Sequence, residues 1–226
     1  MGDARCTSLP VMRIVIAGAH GQIGLRLVRL LAARGEQAVG LIRNPDHAAD
    51  VTAAGGQPVV CDLEHAATAE VAEAAGAADV AVFAAGAGPG SGAERKLTMD
   101  RDGAIKLLRA TDTTAARYLV VSSVGAESPP AGDGVFEVYL RAKAEADAAV
   151  SASDRPWVII RPGPLTDDAG TGLVRLGTDP FRDAVTRDDV AAVLAAIIAN
   201  PGVDRTVLYL GGGDVPIEQA LGALRH

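Results

Sequence analysis

The chain reads as a doubly wound α/β sandwich, a parallel sheet of about seven strands with helices on both faces. Three observations predict it. From residue 12 onward, short and uniformly apolar runs alternate with amphipathic helical stretches. Three glycines spaced three apart stand where the first strand turns into the first helix. Hydrophobic residues make up 49% of 226 residues, yet aromatics make up only 3%. Uniform apolarity marks strands covered on both faces, as parallel strands are. A core nearly free of aromatics must be built from Ala, Val, Leu and Ile in layers, which suits helices packed on a sheet. The length fits one domain able to bury a core without staples.

Residues 1–11 hold Gly, Asp, Arg, Ser and Pro without periodicity and read as a flexible N-terminal extension, so the single domain occupies 12–226. Ile14 to Ala17 is the first strand, and from Ile23 onward Leu25, Leu27, Leu30 and Leu31 recur near helical spacing. Gln37–Ile42, Gln57–Cys61 and Asp79–Ala84 are strands two to four, with helical segments between them. A long helix from about Arg95 to Ala116 leads to the most β-rich run, Tyr118–Ser123, and a helix from about Glu137 to Ser151 leads to Trp157–Arg161. Asp188–Ala199 is a helix with an acidic first turn, stopped by Asn200-Pro201-Gly202, and Thr206–Leu210 is the seventh strand. Right-handed crossovers turn this alternation into a parallel sheet that holds ligands at the carboxyl ends of its strands. Loops 85–94, 124–136 and 164–185 fall on that substrate side. Within them, Ala85–Ala93 and Gly125–Gly134 are rich in Gly, Ala and Pro and are candidate lids.

Composition narrows the partners. A formal charge of −7 with no basic block offers little to nucleic acid or an anionic membrane, which leaves a small molecule as the expected partner. No run of about 18 apolar residues exists and the N-terminus has no apolar signal core, so a cytoplasmic protein is expected. Cys6 and Cys61 show no disulfide or metal pattern and are expected as free thiols. Gly2 invites a myristoylation reading, but Cys6 stands where that pattern wants Ser or Thr.

The turn Gly18-Ala-His20-Gly21-Gln22-Ile23-Gly24 is where chemistry first shows. Gly18 permits the tight turn, Gly21 lets backbone approach a pyrophosphate, and Gly24 lets the helix pack against the strand, with the helix N-terminus facing the anion. About twenty residues on, where an NAD site usually places an acid, the chain has Arg43 and Asn44. A carboxylate repels a 2′-phosphate and a guanidinium binds it, so NADP (NADPH) is expected over NAD. A methyltransferase would carry an acid near position 43. A P-loop ATPase would follow the glycines with Gly-Lys-Ser or Gly-Lys-Thr. Asp62 and Leu63 after strand three either hold an adenine or cap the next helix. Ala84, Ala85 and Gly86 after strand four leave room for a dinucleotide backbone.

The reactive end is carried by Tyr139 and Lys143, four apart and therefore neighbours on one helical face. An ammonium beside a phenol favours phenolate and makes it a usable proton donor and acceptor. Ser122 and Ser123 end strand five, where a hydroxyl can hold a substrate carbonyl or simply cap the sheet edge. Asp100 and Asp102 lie on the long helix near the same edge. Phe136 and Phe181 are the large aromatics of the substrate loops, with Arg175 and Arg182 as candidate anion partners.

Taken together, Gly18-x-x-Gly21-x-x-Gly24, Ser122-Ser123, Tyr139-x-x-x-Lys143 and Arg161-Pro162-Gly163-Pro164-Leu165 resemble the short-chain dehydrogenase/reductase superfamily, with its Rossmann-type fold. The glycine spacing resembles the extended, epimerase-like branch, without that branch's large C-terminal domain, so the chain looks like an atypical member. It is most similar to the compact NAD(P)H-binding group labelled NAD-dependent epimerase/dehydratase, through Gly18–Gly24, Asp100-Arg-Asp-Gly-Ala104 and Thr186-Arg-Asp-Asp-Val190. The resemblance implies Tyr139 as acid/base and Lys143 as its electrostatic partner, which also binds the nicotinamide ribose. It implies Ser123 as the substrate-orienting hydroxyl and Pro162, Gly163 and Leu165 beside the nicotinamide. Asp100 stands where the superfamily has an Asn in the proton relay. The function implied is an NADP(H)-dependent oxidoreductase or epimerase acting on a small carbonyl, alcohol or sugar-like substrate, with no metal. Two alternatives stand beside it: an NADP(H)-sensing binding protein resembling the NmrA-like regulators, and a small flavin- or quinone-type reductase.

Overall fold

Strand β1 (Arg13–Ala17) runs through the middle of the molecule, and its last four residues are completely buried because strands flank it and helices cover both its faces. The structure is a computed structural model that describes residues 11–88 and 90–224. Of the expected N-terminal extension only Val11 falls among these, and it is exposed; the rest, with Gly2 and Cys6, lies outside the described residues.

After β1 come α1 (Gln22–Ala33), β2 (Gln37–Ile42), a 3-10 turn at Pro45–His47 running into α2 (Ala48–Ala53), β3 (Gln57–Val60), α3 (Thr68–Ala75) and β4 (Val80–Phe83). A composite helix follows: one turn of α4 (Ala93–Arg95), a π-helical stretch at Lys96–Gly103, and α5 (Ala104–Ala110). Next are β5 (Arg117–Val121), α6 (Val135–Ser151), β6 (Trp157–Pro162), β7 (Leu165–Thr166), β8 (Leu173–Gly177) and β9 (Val185–Thr186). The chain finishes with α7 (Arg187–Ile198), β10 (Thr206–Gly212), β11 (Val215–Pro216) and α8 (Ile217–Ala223).

The main sheet has nine strands in the order β11-β8-β10-β6-β5-β4-β1-β2-β3. Its seven consecutive members from β10 to β3 are parallel, and they are the seven strands expected from the sequence. The two additional strands, β8 and β11, extend one edge in antiparallel pairing. Segment 164–185, expected to be loop, therefore carries β7, β8 and β9. Its strands escape the apolar pattern because β8, although paired on both sides, has only one fully buried residue, Val174. The expected helix over 95–116 also differs, since it ends at Ala110 and its first half is π-helical. Thr111 closes it by turning its hydroxyl back on the Leu107 carbonyl at 2.8 Å, a bond that competes with helix continuation.

Alternate residues of each strand feed two cores. Ile14, Ile16, Val80, Val82, Val158 and Ile160 pack under α1, α7 and α8. Val15, Ala17, Ala81, Phe83, Tyr118 and Ile159 pack under α3, α5 and α6. Strand order reverses between β1 and β4, which pair directly, and in such sheets a crevice opens at the carboxyl ends of the strands on either side of the reversal.

Candidate functional site: two joined clefts at the β1/β4 switch point

The turn after β1 has the backbone that its glycines foreshadow. Gly18 has φ +81°, and a Cβ there would lie 2.6 Å from the Ala85 Cα at the end of β4. At Gly24 a Cβ would run into the carbonyl oxygen of Gly18. The amide of Gly21 donates to Gly18 O at 2.8 Å and closes the turn. Gly21 and Gln22 face solvent, and α1 begins with no acidic side chain in its first turn. Backbone amides and the positive end of the helix are thus open to an anion.

From this turn a first cleft of about 210 Å³ crosses the ends of β2 and β3, lined by Gly18, His20, Gly21, Arg43, Asp62, Leu63 and Ala84–Gly86 among others. Arg43 is the first residue past β2, and its half-exposed guanidinium lies 3.4 Å from the Glu64 carboxylate and within electrostatic reach of Asp62. His20 stacks on His47 with ring centroids 3.6 Å apart, and its Nε2 lies 2.8 Å from Asp50 Oδ2. Asn44 is outside the cleft wall: its side chain accepts from the Asp46 amide at 3.1 Å and caps the 3-10 turn. Asp62 accepts from the Glu64 amide at 3.0 Å and meets His65 Nδ1 at 2.9 Å, so both its oxygens are engaged in the turn 62–66. Burial opposes its charge, but His65 and that amide outweigh burial and hold the carboxyl below the usual aspartate range. Cys61, a free thiol, is buried, and burial pushes its pKa up.

Ala84, Ala85 and Gly86 also line a second cleft of about 320 Å³, so the two clefts share a wall. Its other lining residues include Tyr139, Lys143, Asp100, Lys96, Ser122, Ile23 and Leu165. The i, i+4 spacing on α6 places the Lys143 ammonium 5.8 Å from the Tyr139 ring centre. The same ammonium donates to Val121 O at 3.0 Å and pairs with Asp100 Oδ1 at 3.3 Å. Asp100 belongs to the π-helical stretch, a form frequent at functional sites, and its other oxygen accepts from the Ala87 amide at 3.1 Å. Burial works against the Lys143 charge, but Tyr139, Asp100 and Asp147 outweigh burial and hold its pKa above the ordinary lysine value.

The two serines part company. Ser122 lines the cleft and its hydroxyl donates to Asp147 Oδ2 at 2.8 Å. Ser123 is not among the cleft residues, and its hydroxyl donates to the Val124 carbonyl at 3.1 Å. Leu165 reaches the cleft, whereas Pro162 and Gly163 do not. A Cβ at Gly163 would collide with the Asp183 carbonyl, so backbone packing accounts for that glycine. Arg175 is occupied by Asp183 at 3.0 Å, and Arg182 faces Glu127.

Sequence reasoning missed two residues. Asp147 extends the row Tyr139, Lys143, Asp147, each four on from the last. Its Oδ2 also accepts from Arg161 Nε at 3.1 Å and Nη2 at 3.0 Å, while burial raises its pKa despite these partners. Lys96 was the other; its place four residues before Asp100 was the available signal.

A family model described as NAD(P)H-binding matches residues 18–201. The chain belongs to the NAD(P)H-binding family. Within this NAD(P)H-binding family, a Bacillus subtilis protein named an uncharacterized sugar epimerase, YhfK, is 34% identical over 212 residues, 93% of this chain and 99% of that protein. A solved structure from Bacillus halodurans, named for a NAD-dependent epimerase/dehydratase, has a TM-score of 0.87 at 30% identity over 94% of this chain and 99% of its own. The Lactococcus lactis oxidoreductase ylbE shares the fold, with a TM-score of 0.83 at 24% identity over 95% of this chain and 98% of its own. The resemblance to atypical short-chain dehydrogenases thus holds at the level of family and fold. Among the described residues no helix is long and apolar enough to cross a membrane, and no group of three or more His, Cys, Asp or Glu is placed to hold a metal ion.

Proposed function

We propose that this member of the NAD(P)H-binding family is an NADP(H)-dependent oxidoreductase or epimerase in which Tyr139 moves the proton. The observation that carries this reading is the shared wall Ala84–Gly86, which makes one continuous crevice of the glycine turn and the Tyr139–Lys143 pair. A nicotinamide cofactor, when bound, supplies or accepts hydride. The side-chain-free turn Gly18–Gly24 cradles its phosphates at the α1 N-terminus. Arg43 supports the preference for NADP, being a half-exposed cation on the cleft wall whose ion pair with Glu64 is long.

Tyr139 donates or accepts the proton at the substrate oxygen. Lys143, fixed by Val121 O and Asp100, stabilises negative charge on the phenol oxygen through space. Ser122, on the cleft wall, is the nearer candidate to orient a substrate oxygen, with Ser123 as the one the family pattern implies.

The test measures NADPH affinity by fluorescence titration and NADPH oxidation against a panel of quinones, aldehydes, ketones and nucleotide sugars, in wild type and Tyr139→Phe. Affinity is expected to stay within about twofold while turnover falls at least about 100-fold, the usual scale for a lost general acid. Equal rates in the variant remove Tyr139 from the mechanism. Absence of binding by either NADPH or NADH removes the reading altogether.

A further inference from the structure

Lys96 is the charge in the second cleft that the proposed chemistry does not use. It enters from the π-helical stretch, half-buried, with its Nζ 5.5 Å from the Tyr139 ring centre, as close to that ring as Lys143 is at 5.8 Å. Lys143 is neutralised by Asp100 inside the wall. Lys96 has no such partner: among the described residues its ammonium makes one polar contact, with the neutral Gly88 carbonyl at 2.9 Å, and no ion pair. Apart from Tyr139, Ser122 and the Lys143–Asp100 pair, the surrounding wall is apolar or small, with Ile23, Val121, Leu165 and the alanines after β4. A net positive charge therefore sits at the reaction centre of a protein whose formal charge is −7. In a weakly polar cleft such a charge is worth more than at the surface, and it selects for an anion.

We infer that Lys96 is the specificity-determining cation of this cleft and that the substrate is a small carbonyl or hydroxyl compound carrying a carboxylate close to the reacting carbon. One ammonium matches one negative charge. A phosphate dianion would leave half its charge unmatched, because no second free cation lines this cleft among the described residues. Carboxylate pairing would draw Nζ from the Gly88 carbonyl and hold the reacting carbon beside Tyr139. The inference rests on the crevice reading above and deepens it by naming the substrate class.

The test reads binding and requires no turnover. Benzoate, its uncharged isostere benzamide, and phenyl phosphate are titrated by ligand-observed NMR into the full chain, both saturated with NADP+ and cofactor-free, as wild type, Lys96→Met and Lys96→Arg. The expected result is benzoate binding about tenfold or more tighter than benzamide, as a charge-assisted hydrogen bond gives. That preference is lost in Lys96→Met and kept in Lys96→Arg, with NADPH affinity within about twofold of wild type in both. No preference in wild type, or one that survives Lys96→Met, overturns the inference. Tighter phenyl phosphate binding overturns the carboxylate assignment, and a parallel loss of NADPH affinity in Lys96→Met returns the residue to the cofactor. An inactive Tyr139 leaves all these outcomes readable, so the two readings fail separately.

Discussion

The carboxylate of Asp100 and the ammonium of Lys143 lie 3.3 Å apart, both almost fully buried, and they lock the π-helical stretch onto α6 beneath Tyr139. Asp100 is itself held by the Ala87 amide, so the pair also fixes the chain just after β4, where the two clefts meet. One ion pair thus positions the lysine beside Tyr139, the helix that carries Lys96, and the shared wall of the crevice.

Removing half of that pair leaves an unmatched buried charge, which costs far more than the intact pair contributes. Asp100→Ala is expected to lower unfolding free energy by about 3–5 kcal/mol. Asp100→Asn keeps an acceptor for the Ala87 amide and loses less. Urea unfolding of the two variants checks the order; an Asp100→Ala protein as stable as wild type would show that Asp147 or solvent takes over the charge.

A methyl group at Gly24 has nowhere to go, because Gly18 O and Ala19 Cα, 2.8 Å from it, are backbone and cannot swing aside. Gly24→Ala is expected to push α1 off the turn, costing about 1–3 kcal/mol as overpacking does, and to weaken NADPH binding along with it. Thermal unfolding and NADPH titration together decide it: a variant stable and tight-binding as wild type sinks the assigned role.

The parallel core was legible because its inner strands are buried on both faces and so read as unbroken apolar runs, as in Trp157–Ile160. Strand β8 was not, since burial of Val174 alone leaves Arg175 and Gly177 to read as loop. Nor was the π-helical register of Lys96–Gly103, because so polar a stretch carries no apolar period by which to tell one helix type from another. The glycine turn and the Tyr139–Lys143 pair were readable from local spacing. Asp147 and Lys96 become meaningful only when α6 and the π-helical stretch are brought to one cleft, and an isolated lysine in a sequence reads as surface.

Glu64 gives the fold an acid-sensitive joint. Its carboxylate receives Arg95 at 2.9 Å and Thr98 at 2.8 Å, which ties the turn after β3 to the composite helix. Burial raises its pKa, but Arg95 and Thr98 more than offset this and leave it below the ordinary glutamate value. A depressed folded-state pKa means stability fully present above the unfolded value of about 4.3, lost as pH falls through the folded value. Glu64→Gln is therefore expected to cost about 1.5 kcal/mol at pH 7, the lower end for hydrogen bonds to a charged group. The gap from wild type should close as pH drops below about 4. Urea unfolding at several pH values measures this, and a gap independent of pH would mean that the pair acts through shape alone.

Arg43 is where cofactor choice is expected to reside. Its guanidinium stands on the wall of the first cleft at the end of β2, and its contact with Glu64 is long because Glu64 is already satisfied by Arg95 and Thr98. It is therefore free to close on a 2′-phosphate with charge-assisted hydrogen bonds worth about 1.5–3 kcal/mol. Arg43→Ala is expected to weaken NADPH binding about 10- to 100-fold and leave NADH affinity within about twofold, erasing the preference. Because the side chain is half exposed, the wild-type preference should shrink between low salt and about 0.5 M salt, while the variant shows no such dependence. Parallel titrations with both dinucleotides measure this, and a preference that survives the substitution would transfer the role to the stacked His20 and His47 on the same cleft wall.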